Sequence, residues 1–182
     1  MVTTALTFTA TAEAARYLGA DLKFVDVNPR TLNVDPRAVR EAIGLQTKAI
    51  VPVHYAGLSC DMDSIFSIAK EYDLRVVEDA THALPSTWRG KTVGTLDSDA
   101  TIFSFYAAKP MTTGEGGMIA TRNEAAASRM RVLPQHGIDH DAFGRFSSNR
   151  PAWYCEVIAP GYKYNMPDLA AALGIQQLAK VK

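Results

Sequence analysis

The 182-residue sequence has little cysteine, no excess of charge of either sign and no long apolar run. Its two cysteines, Cys60 and Cys155, lack a C-x-x-C spacing, which argues against a disulfide framework or a zinc site and favours a reducing, cytoplasmic compartment. The 19 Lys and Arg residues balance 19 Asp and Glu, so bulk charge would not drive binding to nucleic acid or to anionic membranes. No stretch approaches 18 consecutive apolar residues, which excludes an ordinary transmembrane helix. The histidines are scattered without ligand spacing, so we expect no metal site.

Short β-branched runs alternate with helical patterns along the whole chain. This alternation predicts an α/β fold, with a mostly parallel central sheet and crossover helices on both faces. The predicted strands are 23–27, 48–53, 74–78, 101–105 and 118–121. The predicted helices are 11–18, 36–43, 61–72, 124–133 and 167–180, with Asp61 or Asp63 available to cap the third. Residues 133–165 show no clean period and are expected to form a long loop. We expect 1–182 to be one domain, and a partial one, because its end elements would need partners to bury their apolar faces.

The segment VVEDATHA, residues 76–83, ends a buried-strand pattern in two carboxylates, with His82 three residues later. In doubly wound sheets ligands bind beyond the carboxyl ends of strands, so Asp79 stands where a cofactor-binding acid would lie. The alternative is that Asp79 caps a following helix, since Asp is a favoured N-cap residue.

A second segment, residues 100–121, combines a strand, a lone lysine and three glycines. The strand delivers Ser104, and Lys109 follows in an uncharged neighbourhood that would make its amine available to a carbonyl. Gly114, Gly116 and Gly117 permit close backbone approach or positive φ. The alternative is a surface lysine before a glycine-rich hairpin.

Together, Asp79 and Lys109 are the two groups that a pyridoxal phosphate ring requires. A carboxylate keeps the pyridine nitrogen protonated, and a lysine holds the aldehyde covalently. A nucleotide-binding dehydrogenase is disfavoured, because no G-x-G-x-x-G follows the first predicted strand.

Four segments of the sequence resemble the sugar-nucleotide aminotransferases of the DegT/DnrJ type: PVHYAGLSCDMDSI, VVEDATHA, FSFYAAKPMTTGEGGMI and GYKYNMPDLAAALG. Within that family the resemblance is nearest to the branch that makes UDP-4-amino-4-deoxy-L-arabinose. It implies the large domain of the fold type I pyridoxal-phosphate enzymes. It also implies pyridoxal 5'-phosphate (PLP) as cofactor, glutamate as amino donor and a nucleotide-linked keto-sugar as acceptor.

The resemblance assigns a role to six residues. Lys109 would hold PLP and transfer protons, Asp79 would pair with the ring nitrogen, and His82 would lie beside the phenolic oxygen. Ser104 would bind the phosphate, and Phe8 would stack on the ring. Asn165 would reach the phosphate of a neighbouring subunit, which implies a homodimer.

Each of the less specific assignments has a structural alternative. His82 could be a core histidine satisfied by backbone, Phe8 could be core, and Asn165 could cap the helix after Pro167.

Family members are about twice as long as this chain. The resemblance implies that an upstream phosphate-binding turn and a downstream small domain are not encoded in these 182 residues. A catalytically silent fragment or interaction module that keeps the fold is therefore the alternative function.

Overall fold

The computed structural model describes residues 1–139 and 154–181. The chain divides into two compact units, one formed by Met1–Thr121 with Asp168–Lys182 and the other by Arg122–Pro167. The single domain expected from the sequence stays a prediction.

The first unit contains a six-stranded sheet. In chain order its strands are β1 (Val2–Thr4), β2 (Lys23–Val25), β3 (Ala49–Val51), β4 (Arg75–Asp79), β7 (Ala100–Ser104) and β8 (Gly117–Ala120). A separate hairpin is made of β5 (Thr87–Trp88) and β6 (Lys91–Thr92), and the helices are α1 (Thr9–Tyr17), α2 (Pro36–Ala42), α3 (Met62–Glu71) and α5 (Asp168–Leu178). The order across the sheet is β2-β1-β3-β4-β7-β8. Neighbouring strands are parallel except β7 and β8, which are antiparallel. The predicted mostly parallel sheet is confirmed.

The strand order places helices on both faces of this sheet. The chain moves from β1 to β2 in one direction, and then from β2 to β3 and from β3 to β4 in the other. Because parallel crossovers are right-handed, α1 must lie on the face opposite to α2 and α3. We call these the α1 face and the α3 face.

The hydrophobic core lies on the α3 face. Alternate strand residues such as Ile50 and Val76 are buried there in one cluster with Met62, Ile65 and Ile68 of α3. These α3 positions recur at helical spacing and so bury one side of the helix. Asp61 caps α3 by accepting a hydrogen bond from the Ser64 N–H at 3.2 Å. The predicted amphipathic helix and its cap are confirmed.

All five predicted strands and all five predicted helices are present, with ends within two residues of the prediction. Strand β1 and the β5–β6 hairpin were not predicted from the sequence. Strand β1 is only three residues long, and two of them are threonines, so it gives no apolar alternation.

The second unit contains α4 (Glu124–Val132) and an antiparallel pair of short strands, β9 (Ile138–Asp139) and β10 (Glu156–Val157). Asn123 caps α4 by accepting from the Ala126 N–H at 3.0 Å. The expectation of an unstructured loop over 133–165 is therefore wrong for β9 and β10. Within the described residues of the chain, no helix combines the length and the apolar character that crossing a membrane requires.

Candidate functional site

The carboxyl ends of the parallel strands form the edge at which a ligand site is expected. Crossovers leave β1 and β3 in opposite directions, and in open α/β sheets ligands bind outside the strand ends at such a switch point. A cavity of about 1860 Å³ lies in the first unit. It extends along the α1 face of the sheet to this edge, and Val51, Val77 and Ile102 contribute to its wall.

Five of the six predicted site residues line this one cavity: Phe8, Asp79, His82, Ser104 and Lys109. They come from the start of α1, the end of β4, the turn after β4, the end of β7 and the loop after β7. The fold therefore brings together residues as far apart in the sequence as Phe8 and Lys109.

Asp79 is the last residue of β4, and its carboxylate is held from both sides. Its Oδ2 accepts a hydrogen bond from Thr11 Oγ1 at 2.6 Å, and its Oδ1 accepts one from the Thr81 N–H at 3.2 Å. The side chain is largely buried, with the residue only 8% exposed. No helix follows β4 before β5, so the alternative that Asp79 caps a helix is wrong.

Lys109 lies in the loop between β7 and β8. The backbone N–H of Lys109 donates to the backbone carbonyl of Tyr106 at 3.0 Å, which closes a turn. The residue as a whole is half-buried. The salt bridges found in the described part of the chain do not include Lys109. Glu115 lines the same cavity as Lys109 and Asp79, so the cavity that Lys109 lines is not uncharged.

The glycines around Lys109 have a structural explanation. Ser104 pairs with Gly117 across β7 and β8, and a Cβ at Gly117 would lie 2.9 Å from the Phe103 carbonyl oxygen. Gly114 has a φ of +79°, which favours glycine. The glycine-rich hairpin that stood as the alternative is thus real, and it is the loop that carries Lys109 to the cavity.

The solvent exposure differs among the other three lining residues, Ser104, Phe8 and His82. Ser104 is half-buried, and its Oγ accepts from the Tyr106 N–H at 3.3 Å. Phe8 is 77% exposed, so the alternative of a core phenylalanine is wrong. His82 is exposed as well, which excludes the alternative of a core histidine.

Asn165 lies in the second unit and is not among the residues that line the cavity. Its Oδ1 accepts a hydrogen bond from Lys163 Nζ at 2.5 Å. Helix α5 begins only at Asp168, so Asn165 does not occupy the N-cap position. A role toward a neighbouring subunit stays a prediction.

A second polar cluster, centred on Glu78, lies on the other face of β4 and was not predicted from the sequence. The Glu78 carboxylate accepts hydrogen bonds from His54 Nε2 at 2.8 Å, Ser98 Oγ at 2.5 Å and Thr101 Oγ1 at 2.8 Å. The side chains of His54 and Glu78 are 0% exposed. The Cys60 N–H donates to His54 Nδ1 at 3.0 Å, so the ring proton lies on Nε2 and points at Glu78.

The charge state of this cluster follows from these contacts. Burial alone would raise the pKa of Glu78, but the hydrogen bonds from His54, Ser98 and Thr101 lower it, and the net pKa lies below the ordinary value. Burial raises the pKa of the neighbouring Cys60 thiol to about 12, which leaves it protonated and unreactive.

Thr11 and Thr81 donate hydrogen bonds to the Asp79 carboxylate. Neither contact was predicted from the sequence. No local pattern marks Thr11 as a neighbour of Asp79, because 68 positions separate them. Thr81 could have been found, since Asp commonly binds the backbone N–H two residues on.

The side chains in the cavity match the chemical groups of PLP. An amine, a carboxylate, a hydroxyl and an aromatic ring, from Lys109, Asp79, Ser104 and Phe8, all line the same space. These are the groups needed to hold an aldehyde, a ring nitrogen, a phosphate and a ring face. Among the residues that the structure describes, no group of three or more His, Cys, Asp or Glu side chains could hold a metal ion, and the expectation of no metal site stays a prediction.

Known proteins of similar sequence and structure point the same way. The spore coat polysaccharide biosynthesis protein SpsC of Bacillus subtilis is 48% identical over 181 residues, which are 100% of this chain and 46% of SpsC. The solved structure of Spr1654 from Streptococcus pneumoniae in its PLP form has a TM-score of 0.86 and 32% identity, covering 99% of this chain and 48% of that one. The structure of DesI in the presence of its TDP-sugar product has a TM-score of 0.82 and 35% identity, covering 99% of this chain and 42% of DesI.

The chain spans about half the length of the relatives it matches. A family model covers all of it, because the model of the DegT/DnrJ/EryC1/StrS aminotransferase family matches residues 1–182. The resemblance seen in the four sequence segments is therefore confirmed at the level of the family, and this chain belongs to the DegT/DnrJ/EryC1/StrS aminotransferase family.

Proposed function

We propose that this chain supplies the cofactor site of a PLP-dependent aminotransferase that moves an amino group from glutamate to a keto carbon of a nucleotide-linked sugar. The observation that carries the proposal is that Lys109, from the loop after β7, and Asp79, from the end of β4, line one cavity together with Ser104 and Phe8. The protein would act in the cytoplasm, where nucleotide sugars and glutamate are available.

The relatives support the substrate class. SpsC is named for polysaccharide biosynthesis, DesI was solved with a TDP-sugar product, and Spr1654 was solved in a PLP form. The four sequence segments additionally resemble the enzymes that make UDP-4-amino-4-deoxy-L-arabinose, so a UDP-linked 4-keto-pentose is the acceptor that we would assay first.

Each residue in the cavity has a task that its chemistry allows. Bound PLP supplies a protonated ring that withdraws electrons from the reacting carbon. Asp79 accepts the ring N–H and keeps that proton in place, while Ser104 donates its hydroxyl to the phosphate. Phe8 covers one face of the ring and excludes water from it.

Lys109 is the proposed proton carrier. Its amine would hold the cofactor and, when free, would carry a proton between the carbon of the amino donor and the cofactor. The half-buried position and the lack of an ion-pair partner among the described residues leave the amine available for both tasks. His82 would hydrogen-bond the phenolic oxygen and thereby fix the ring in its plane.

The proposal includes a homodimer, in which Asn165 reaches the phosphate of the neighbouring subunit. The support is the sequence resemblance of the segment GYKYNMPDLAAALG, which contains Asn165. A shared site would make PLP affinity depend on protein concentration.

The second candidate function is a catalytically silent module that keeps the fold. What favours it is that the chain spans 46% of the length of SpsC.

Equilibrium titration with PLP, followed by visible absorbance, separates the two candidates. We expect the 182-residue chain to develop the absorbance of lysine-bound PLP and Lys109→Ala to develop none. Lys70→Ala is the matched control, because Lys70 lies in the last turn of α3, on the opposite face of the sheet. Adding glutamate should convert the bound absorbance to that of the amino form of the cofactor. A chain that binds no PLP would support the silent module, and an unchanged spectrum in Lys109→Ala would contradict the assignment of Lys109.

A further inference from the structure

We propose that Thr11 is a positioning residue that orients the Asp79 carboxylate toward the cofactor ring and ties the first turn of α1 to the same carboxylate. This inference rests on the proposed function, because it assumes that Asp79 receives the ring nitrogen of PLP.

The hydrogen bonds around Thr11 have a fixed direction. An ionised carboxylate carries no proton, so the 2.6 Å contact between Thr11 Oγ1 and Asp79 Oδ2 must be donated by the threonine. Thr11 has only one hydroxyl proton, so its 2.9 Å contact with Thr7 Oγ1 must be donated by Thr7. The result is a chain of two hydroxyls, Thr7 to Thr11, that ends on the carboxylate.

The two donors to Asp79 determine the plane of its carboxylate. Thr11 donates to Oδ2, and the Thr81 N–H donates to Oδ1. Rotation about the last side-chain bond of an aspartate is otherwise soft, and donors on different oxygens remove that freedom. Each oxygen has further lone pairs, so the carboxylate can still accept the ring N–H.

Thr11 also holds the helix that carries Phe8. Phe8 is the N-cap residue of α1 and makes no side-chain capping hydrogen bond, so the start of this helix lacks the usual anchor. The Thr11 N–H donates to the Phe8 carbonyl at 3.2 Å, which places the two residues in one turn. Through Thr11, the ring expected to stack on PLP and the acid expected to bind its nitrogen are fixed relative to each other.

A double-mutant cycle on PLP affinity tests this role in the full 182-residue chain. The variants are Thr11→Val, which keeps the shape and removes the hydroxyl, Asp79→Ala, and the combination of both. We expect Thr11→Val to weaken PLP binding about tenfold, the effect of losing one hydrogen bond to a charged group. In the Asp79→Ala background, the same substitution should change the affinity less than about twofold, because its partner is gone.

Two further variants separate positioning from a general effect on the helix. Thr11→Ser keeps the hydroxyl and should restore PLP affinity to within about threefold of the original chain. Thr9→Val makes the same change at an exposed position of the same helical turn and should leave affinity unchanged.

The outcomes discriminate between the two proposals. Equal effects of Thr11→Val in both backgrounds, or a Thr11→Ser variant as weak as Thr11→Val, would refute the positioning role while leaving the proposed function intact. Failure of the unsubstituted chain to bind PLP would refute the proposed function and the positioning role with it. Unfolding midpoints of all variants, measured without PLP, show that each compared protein is folded.

Discussion

The two neighbouring carboxylates of β4 lie in opposite surroundings. Glu78 is fully buried on the α3 face and accepts hydrogen bonds from three side chains, among them His54. Asp79 lines the cavity on the α1 face, where one side chain, Thr11, and one backbone N–H bind it. The acceptor capacity of Glu78 is used within the protein, while that of Asp79 is partly left for a ligand. Strand β4 thus supplies one carboxylate, Glu78, that stabilises the fold and, on our proposal, another, Asp79, that binds the cofactor.

Removal of the Glu78 carboxylate should have the largest effect on the fold. Glu78→Ala leaves His54 Nε2, Ser98 and Thr101 without their shared acceptor in a buried site. We expect a loss of about 3–5 kcal/mol in the free energy of unfolding, as for other buried pairs that lose one partner. Chemical denaturation followed by circular dichroism measures it. A loss below about 1 kcal/mol would mean that the cluster does not support the fold.

The converse substitution, at Asp79, should affect ligand binding and spare the fold. Asp79→Asn keeps the shape and an oxygen that can accept from Thr11, but removes the charge that holds the ring proton. We expect PLP affinity or the rate of amino transfer to fall about 100-fold, the effect of losing a charge-assisted hydrogen bond. The free energy of unfolding should change by less than about 1 kcal/mol. Unchanged amino transfer would show that Asp79 does not serve the cofactor.

The pH dependence of the free energy of unfolding should show a smaller contribution of Glu78. The pKa of Glu78 is lowered in the folded chain from an ordinary value of 4.5, so the unfolded chain takes up a proton first as the pH falls. The stabilisation from this group is therefore complete above about pH 4.5 and is lost as the pH falls through the folded-state pKa. Glu78→Gln should remove this part of the acid sensitivity in denaturation curves measured between neutral and acidic pH. An identical acid sensitivity in the variant would contradict the assigned direction.

Much of the fold was accessible from the sequence because its signals are local. The apolar spacing of Met62, Ile65 and Ile68 defined α3, and Asp61 marked its start. Strand β1 escaped because three residues with two threonines carry no periodic signal.

The candidate site could be predicted only in part, because many of its contacts join residues that are far apart in the sequence. Asp79 ends β4 and Lys109 follows β7, two strands whose carboxyl ends meet at one edge of the sheet, and the family resemblance assigned their roles. The partners of Asp79 and Glu78 were not visible, because Thr11 lies 68 positions from Asp79 and His54 lies 24 positions from Glu78. Such pairs are created by the crossovers of the sheet, which a single sequence does not specify residue by residue.

Chemical trapping of PLP on the unmodified chain tests directly whether Lys109 holds the cofactor. Borohydride reduction of the PLP-loaded protein, followed by peptide mass spectrometry, fixes the cofactor to the lysine that holds it. We expect the added mass on the peptide that contains Lys109 and on no other lysine-containing peptide. A label on any other lysine, or no label at saturating PLP, would contradict it.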